Sequence, residues 1–333
     1  MTTEIILSPT AELRPAPLFT PTAKAAKRFL EFFTTQIDND NTRKAYFNAV
    51  RCFSAWCQSR NVAELGRVEP MHIAAYLKML QKEKRSPPTI KQHLAALRML
   101  FDWLVVGQIL PINPAHAVRG PKYVVKKGKT SVLAADEARE LLDSIVIAKK
   151  KKHPDGSETE EPVLVGLRDR ALIGVMVYTF ARISAVLKMK VRDHFVQGRR
   201  GWVRLHEKGG KEHEVPCHHN LEQYLAEYIV AAAIGDDLDG PLFRTTGRKT
   251  GKQQPMWQQD TYRMIQRRAT AAGIETKVGN HTFRATGITA YLKNKGTLES
   301  AQHIAGHESP RTTKLYDRRQ DEISLDEVEK ISI

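Results

Sequence analysis

A strongly apolar stretch at residues 171–178 constrains the fold of this 333-residue chain more than any other feature. Its apolar side chains recur at helical spacing: Ala171, Leu172, Val175, Met176 and Tyr178. A helix of this composition is stable only when protein surrounds it, so it predicts the centre of a domain core. Arg182 follows directly. Because an unpaired buried guanidinium is very costly, we expect Arg182 to contact either a carboxylate of the chain or an anionic ligand.

Four amphipathic helices are predicted in the first hundred or so residues. Apolar side chains recur every three or four positions in segments at about 22–37, 42–57, 69–84 and 88–104. The second helix is expected to be capped by Asn41 or Thr42, and the third carries Pro70 in its first turn. Four short helices of this kind form a compact bundle whose basic faces remain outside.

The remainder of the chain combines helices with a small sheet. WVRL at 202–205 and HEVP at 213–216 flank a turn containing two glycines, which predicts a β-hairpin. Further elements are expected as helices near 134–147, 220–233 and 258–272 and as a short strand near 242–243. The charged segment 149–162 is interpreted as a polar loop. The predicted fold class is mainly α with a small antiparallel β-sheet.

The charge of the chain favours a polyanionic partner. The net charge is +15, the sequence pI is about 9.7, and residues 1–130 carry 20 lysines and arginines against 9 acidic residues. A membrane surface would also attract such charge, but the sequence has no apolar run of 18 residues and no signal-peptide pattern. We therefore expect a cytoplasmic, nucleoid-associated protein that binds DNA and has no contact with a membrane.

Candidate phosphate contacts lie in the predicted bundle and in the basic linker that follows it. They are Arg43, Lys44, Lys82, Lys84, Arg85, Lys91, Arg98, Lys126 and Lys127. The alternative is that these side chains form only a solvated surface. The three cysteines, Cys52, Cys57 and Cys217, show no paired spacing and are expected to be reduced, and no metal site is predicted.

The stretch from His281 to Tyr316 carries residues suited to phosphodiester chemistry. His281 and Arg284 are three apart and would share one face of a helix. His307 and Tyr316 follow, nine apart. Arginine binds two phosphate oxygens at once, and a tyrosine can attack phosphorus when neighbouring cations stabilise its phenolate. Each residue alone also fits a basic surface; the combination predicts an active site.

Four segments in this order resemble the conserved boxes of the tyrosine recombinases, the family that includes the phage integrases. They are TFARISAVLKMK, EKGGKEHEVP, HTFRATGITAYL and IAGHESPRTTKLYD. The similarity covers about 131–318, and the four-helix region resembles the core-binding domain of that family. The resemblance implies a helical bundle core-binding domain and a mixed α/β catalytic domain.

The resemblance also implies roles for individual residues. Arg182 and Arg284 would hold the non-bridging oxygens of the scissile phosphate. Lys208 would be the general acid toward the departing 5′ oxygen, with Lys211 as the alternative in the same turn. His281 would accept a proton or bind the phosphate, His307 would hydrogen-bond it, and Tyr316 would be the nucleophile that forms a 3′-phosphotyrosyl link. The scheme requires no cofactor and no metal.

The chain departs from the family pattern at several positions. Ala185 stands where many members have an acidic residue that supports the site. Phe180 and Ala181 stand where Gly-Leu is common, and Ala285 replaces a frequent second histidine. These changes affect the residues that support the site rather than the six residues with direct roles.

Five segments are expected along the chain. They are a disordered leader at 1–21, a helical core-binding, DNA-binding domain at 22–122, a basic linker at 123–131, a catalytic domain at 132–320 and a tail at 321–333 that could exchange between protomers. The implied partners are double-stranded DNA with inverted-repeat core sites, further copies of the chain in a tetramer on DNA, and accessory proteins.

Three functions are compatible with this pattern. The first is site-specific recombination for integration, excision or resolution of a DNA element. The second keeps the chemistry but acts on one site, as a type IB topoisomerase or hairpin-forming resolvase does. The third is a DNA-binding factor that has lost cleavage. The six residues with direct roles favour cleavage over the third, and the N-terminal bundle favours the first over the second.

Overall fold

The computed structural model describes residues 16–124, 128, 130–154, 157–207, 210–246 and 253–317. The chain divides into two units, Met1–Val124 and Val125–Ile333. Within the described residues, no helix combines the length and apolar character needed to cross a membrane.

The described part of the first unit is a bundle of four α-helices, as the periodicity predicts. They are α1 (Ala23–Thr35), α2 (Asp40–Ser59), α3 (Pro70–Lys82) and α4 (Pro87–Val106). The predicted cap of α2 was wrong by two or three residues. Asn39 is the cap, because its side-chain oxygen accepts hydrogen bonds from the backbone N–H groups of Asn41 and Thr42, both at 3.1 Å.

An aromatic cluster forms much of the core of this bundle. Phe19 stacks on Phe29 at 5.9 Å and lies 5.7 Å from the ring of Phe101. Ala16, Leu18 and Phe19 are almost completely buried in this core, so the prediction of a disordered leader was wrong for the segment that contains them. Residues 1–15 lie outside the described part of the chain. Burial of each such ring stabilises the unit by about 2 kcal/mol.

The second unit is organised around the apolar helix. The described helices are α5 (Ala135–Asp143), α6 (Leu164–Tyr178), α7 (Ile183–Val186), α8 (His219–Ala232), α9 (Gln258–Ala271), α10 (Thr282–Lys293), α11 (Leu298–Ile304) and α12 (Pro310–Lys314). In α6 every position from 171 to 176 is buried, which confirms that it forms the centre of the core. It packs mainly against α8 and α10.

Among the residues that the structure describes, two antiparallel sheets complete this unit. The first consists of β1 (Ala148–Lys152) and β2 (Glu158–Pro162), and the second has the order β3 (His194–Gln197), β4 (Arg200–His206) and β5 (Glu212–Pro216). The predicted hairpin at 202–216 is confirmed as β4–β5. The predicted strand near 242–243 was wrong: its flanking residues Pro241 and Arg244 form only isolated bridges, with Lys190 and Pro255.

The interpretation of 149–162 as a loop was also wrong. Lysines on β1 face glutamates on β2, and Lys151 lies 2.5 Å from Glu161 while Lys150 lies 3.6 Å from Glu158. Every residue of both strands is exposed, so the segment has no apolar alternation that could indicate a strand. Opposite charges across the pair stabilise it instead.

Candidate active site

Five of the predicted catalytic residues are described, and all lie in the second unit. Arg182 is the N-terminal cap of α7, and His281 and Arg284 lie at the start of α10. His307 follows α11, and Tyr316 comes two residues after α12. Electrostatic effects link the set, because Arg182 and Arg284 both lower the pKa of His281 and of His307.

Arg284 is the most deeply buried of these residues, with 1% of its surface exposed. Its guanidinium donates hydrogen bonds to the carbonyl oxygens of Phe180 and, at 2.6 Å, of Ala305. Its Nε is buried and has no partner among the described residues. Burial and the charge of Arg182 lower the pKa of Arg284 to about 10, so it stays charged near neutral pH. A buried cation with a free N–H is suited to bind an anion.

The backbone at Phe180 explains how Arg284 is held. Phe180 has a φ of +55°, the left-handed conformation that costs a residue with a side chain about 1 kcal/mol. This conformation presents its carbonyl oxygen to Arg284, and its buried ring packs edge-on against Tyr291 at 6.1 Å. Phe180 stands where the family pattern usually has glycine, before a leucine at 181. Glycine adopts this left-handed geometry most easily, so the departure from the pattern lies at a position that favours glycine.

Arg182 has the carboxylate partner that the sequence left open. Its Nη1 lies 2.5 Å from Oε2 of Glu207, and the other oxygen of Glu207 lies 4.0 Å from Nη1 of Arg284. The side chain of Arg182 is 31% exposed and that of Glu207 only 4%. Arg182 therefore forms an ion pair within the protein, and part of its side chain is still exposed to a ligand.

His307 is buried and neutral. Burial, with the charges of Arg284 and Arg182, lowers its pKa to about 3. Its Nδ1 lies 2.9 Å from the hydroxyl of Thr313, and its Nε2 is buried without a partner among the described residues. When Thr313 donates to Nδ1, the neutral ring carries its proton on Nε2 and can donate it to a ligand oxygen.

Tyr316 lies directly beside this histidine. The two rings are stacked with centroids 5.7 Å apart and planes within 10°. The hydroxyl of Thr289 donates to the backbone carbonyl of Tyr316 at 2.9 Å, which fixes the chain just after α12. The charge of a Tyr316 phenolate, and a hydrogen bond between Tyr316 and Arg284, would oppose the lowering of the Arg284 pKa. The phenol and this guanidinium are therefore close. The arrangement can stabilise a phenolate.

His281 is the exposed member of the set. Partial burial of its ring, with the positive charges of Arg284 and Arg182, lowers the pKa of His281, so the imidazole is neutral near pH 7. A neutral imidazole beside two guanidiniums can accept a proton.

Of the two hairpin lysines, only Lys211 is within the described residues. Lys208, the predicted general acid, lies outside the described residues. The ammonium of Lys211 pairs with the carboxylate of Glu308, next to His307. The choice of Lys208 over Lys211 stays a prediction.

The predicted DNA contacts differ in how available they are. Arg43 donates to the carbonyls of Phe33 and Ile37 and pairs with Asp40, and Arg98 donates to two carbonyls in the turn after α4. These internal hydrogen bonds weigh against phosphate contacts by Arg43 and Arg98. The other described candidates are exposed: Lys44, Lys82, Lys84, Arg85 and Lys91. Lys126 and Lys127 lie outside the described residues.

Glu207 is the supporting residue that the sequence interpretation missed. In β4 the buried positions are Gly201, Val203 and Leu205, and Glu207 continues this inward-facing alternation directly before Lys208. An inward-facing carboxylate next to a candidate catalytic lysine was the available signal. Among the described residues, no cluster of three or more His, Cys, Asp or Glu side chains is arranged to bind a metal.

Comparison with known families matches both units. A model described as "Phage integrase family" matches residues 155–322, and one described as "Phage integrase, N-terminal SAM-like domain" matches residues 25–109.

Individual relatives match over most of their length. The tyrosine recombinase XerD of Listeria innocua is 27% identical over 278 residues, covering 83% of this chain and 87% of that protein. XerD of Chlorobaculum tepidum is 26% identical over 301 residues, covering 89% and 92%.

Solved structures share the fold. A crystal structure of the XerH site-specific recombinase bound to palindromic difH substrate, a post-cleavage complex, has a TM-score of 0.69 at 16% identity and covers 95% of this chain and 96% of that one. A lambda integrase tetramer bound to a Holliday junction has a TM-score of 0.65 at 18% identity, with 90% and 79% covered.

Proposed function

Because this chain belongs to the phage integrase family, we propose that it is a site-specific DNA recombinase that cuts and rejoins strands through a covalent 3′-phosphotyrosyl intermediate. One observation carries the proposal most directly. Buried hydrogen-bonding atoms of Arg284 and His307, which have no partner within the described part of the chain, lie near a tyrosine that stacks on His307. Buried polar atoms without partners indicate a site built for a ligand, and the charges favour a phosphate.

The chemistry follows from the residues. The phenol oxygen of Tyr316 attacks phosphorus, with its proton passing to His281, while Arg182 and Arg284 stabilise the charge on the non-bridging oxygens. The bond from phosphorus to the 5′ oxygen breaks, and Lys208 gives that oxygen a proton. Attack by the 5′ hydroxyl of a partner strand reverses these steps and releases Tyr316. The energy of the broken bond stays in the phosphotyrosyl link, so no nucleotide is consumed.

Double-stranded DNA with inverted-repeat core sites is the proposed substrate. Solved relatives include a lambda integrase dimer bound to a core site and a tetramer bound to a Holliday junction. We propose the same course for this chain: two copies on each site, and a tetramer when two sites meet. Residues 22–122 would wrap the duplex through their exposed lysines, and residues 132–320 would hold the phosphate. A nucleoid-associated, cytoplasmic location follows from this substrate.

Covalent trapping tests the chemistry. DNA from around the gene of the protein, nicked near candidate inverted repeats so that the cut strand diffuses away, would be incubated with the wild type and with Tyr316→Phe. On a denaturing gel we expect a protein–DNA adduct with the wild type and none with the variant. Specific binding of that DNA without an adduct from either protein would favour a DNA-binding factor.

A second substrate separates recombination from topoisomerase activity. Plasmids carrying one or two copies of the trapped site would be compared. A recombinase exchanges strands only between two sites, whereas a topoisomerase relaxes a plasmid that carries a single site. Relaxation of the one-site plasmid without products from the two-site plasmid would reject the first function in favour of the second.

A further inference from the structure

We propose that Glu207 is a positioning residue for cleavage: its buried carboxylate bridges Arg182 and Arg284 and sets the spacing of the two guanidiniums that hold the scissile phosphate. This role builds on the proposed function and concerns the same site. It goes beyond that function because it assigns the supporting carboxylate to the residue directly after the hairpin strand β4, in a chain that has alanine at 185.

The contacts of Glu207 support a bridge rather than a simple surface ion pair. One oxygen lies 2.5 Å from Arg182, on the cap of α7, and the other lies 4.0 Å from Arg284, in the first turn of α10. One carboxylate thus joins three elements that are far apart in sequence. Ala185, in α7, is fully buried and has no carboxylate to offer.

Charge explains why the bridge is needed. The charge of Arg182 disfavours the charge of Arg284 and lowers its pKa, and the charge of Glu207 opposes this effect. Without an anion between them, two guanidiniums separate, and a phosphate would have to draw them together at each reaction. A carboxylate already in place keeps them in the arrangement that the transition state requires.

The position of Glu207 directly after β4 ties this bridge to the hairpin. Its backbone N–H donates to the carbonyl of Lys211 at 2.7 Å, so these two residues join the β4 and β5 sides of the hairpin. The Oε1 atom that faces Arg284 is buried and has no hydrogen bond in the described part of the chain. This oxygen therefore has the capacity to accept a hydrogen bond from Arg284.

Simple electrostatics makes the opposite prediction, which sharpens the test. A carboxylate near the bound phosphate repels it, so removing the charge should strengthen DNA binding and speed cleavage if Glu207 had no positioning role. If Glu207 sets the spacing, Glu207→Gln should slow adduct formation about 100-fold, the cost of misplacing a reacting group by about 1 Å, while DNA affinity stays within about threefold or rises.

The experiment measures single-turnover adduct formation and DNA affinity for the wild type, Glu207→Gln and Glu207→Asp on the nicked substrate. Glu214→Gln is the matched control, since Glu214 pairs with Arg204 on the exposed face of the same sheet. An adduct with the wild type is required first; its absence would reject the proposed function and not the role of Glu207. Adduct formation by a folded Glu207→Gln within about threefold of wild type would overturn the proposal.

Thermal unfolding shows whether each variant is folded, because leaving the buried guanidinium of Arg284 and the partly exposed one of Arg182 without their carboxylate is destabilising. If Glu207→Gln does not fold, Glu207→Asp decides. It keeps the charge but withdraws it by one methylene, and we expect about tenfold slower adduct formation with unchanged affinity. A wild-type rate for Glu207→Asp in that case would leave Glu207 a purely structural role and overturn the proposal.

Discussion

Gly287 lies where α10 meets α6, and we predict that Gly287→Ala disturbs both the core and the active site. A Cβ atom added there would lie 2.2 Å from the backbone oxygen of Val177 and 2.6 Å from the ring of Phe180. Normal contacts at such atoms are more than 3 Å, so the helices would have to separate by about 1 Å. Overpacking of this kind costs about 1–3 kcal/mol.

The same shift reaches the active site, because the carbonyl of Phe180 holds Arg284. We expect cleavage to slow about 100-fold in addition to the loss of stability. By calorimetry the second unit, about 200 residues long, should melt roughly 2–12 °C lower. Gly235→Ala is the matched control, since its new Cβ would meet only Ile229 at 3.9 Å. A Gly287→Ala protein that melts and cleaves like the control would refute the close contact between α6 and α10.

Three further predictions concern stability, pH and DNA affinity. Asp169→Asn removes a buried carboxylate that pairs with Arg168 at 2.7 Å and with Arg268 at 2.8 Å. We expect it to lower the free energy of unfolding, measured in urea, by about 3–5 kcal/mol, and a loss below about 1 kcal/mol would contradict this. Folding lowers the pKa of His307 from 6.5 to about 3, so as the pH falls this residue takes up a proton in the unfolded chain before it does so in the folded chain. The stability that depends on this residue is therefore present above pH 6.5 and is lost as the pH falls toward 3. Melting temperatures measured from pH 7 to pH 4 should fall more steeply in the wild type than in His307→Gln; parallel curves would contradict this. Lys91→Ala should weaken binding to all duplexes alike and reduce the slope of log affinity against log salt by about 0.9, whereas an unchanged slope would place Lys91 off the DNA.

The helices of the first unit could be predicted from the sequence because each buries a periodic apolar face. The core helix α6 could be predicted because its apolar residues form a continuous stretch, in which every position from 171 to 176 is buried. The hairpin β1–β2 could not be found this way, because it is exposed on both faces and is stabilised by lysine–glutamate pairs. A pattern of apolar residues cannot predict a strand pair in which every residue is exposed.

The residues of the candidate active site could be proposed from the sequence, but the contacts that support them could not. The contact of Glu207 with Arg182 and Arg284 joins positions 25 and 77 apart in sequence, and only the folded chain brings them together. The left-handed backbone of Phe180 is equally hidden, because the residue type argues against it. Both features depend on tertiary packing around the site.

Mass spectrometry of the trapped adduct tests the proposed chemistry most directly. After digestion with protease and nuclease, we expect one modified peptide, containing Tyr316, with a nucleotide attached to the phenol oxygen through its 3′ phosphate. Tyr316→Phe should yield no such peptide from the same DNA. A nucleotide on another residue, or one joined through a 5′ phosphate, would contradict the assignment of Tyr316 as the nucleophile that forms a 3′ link.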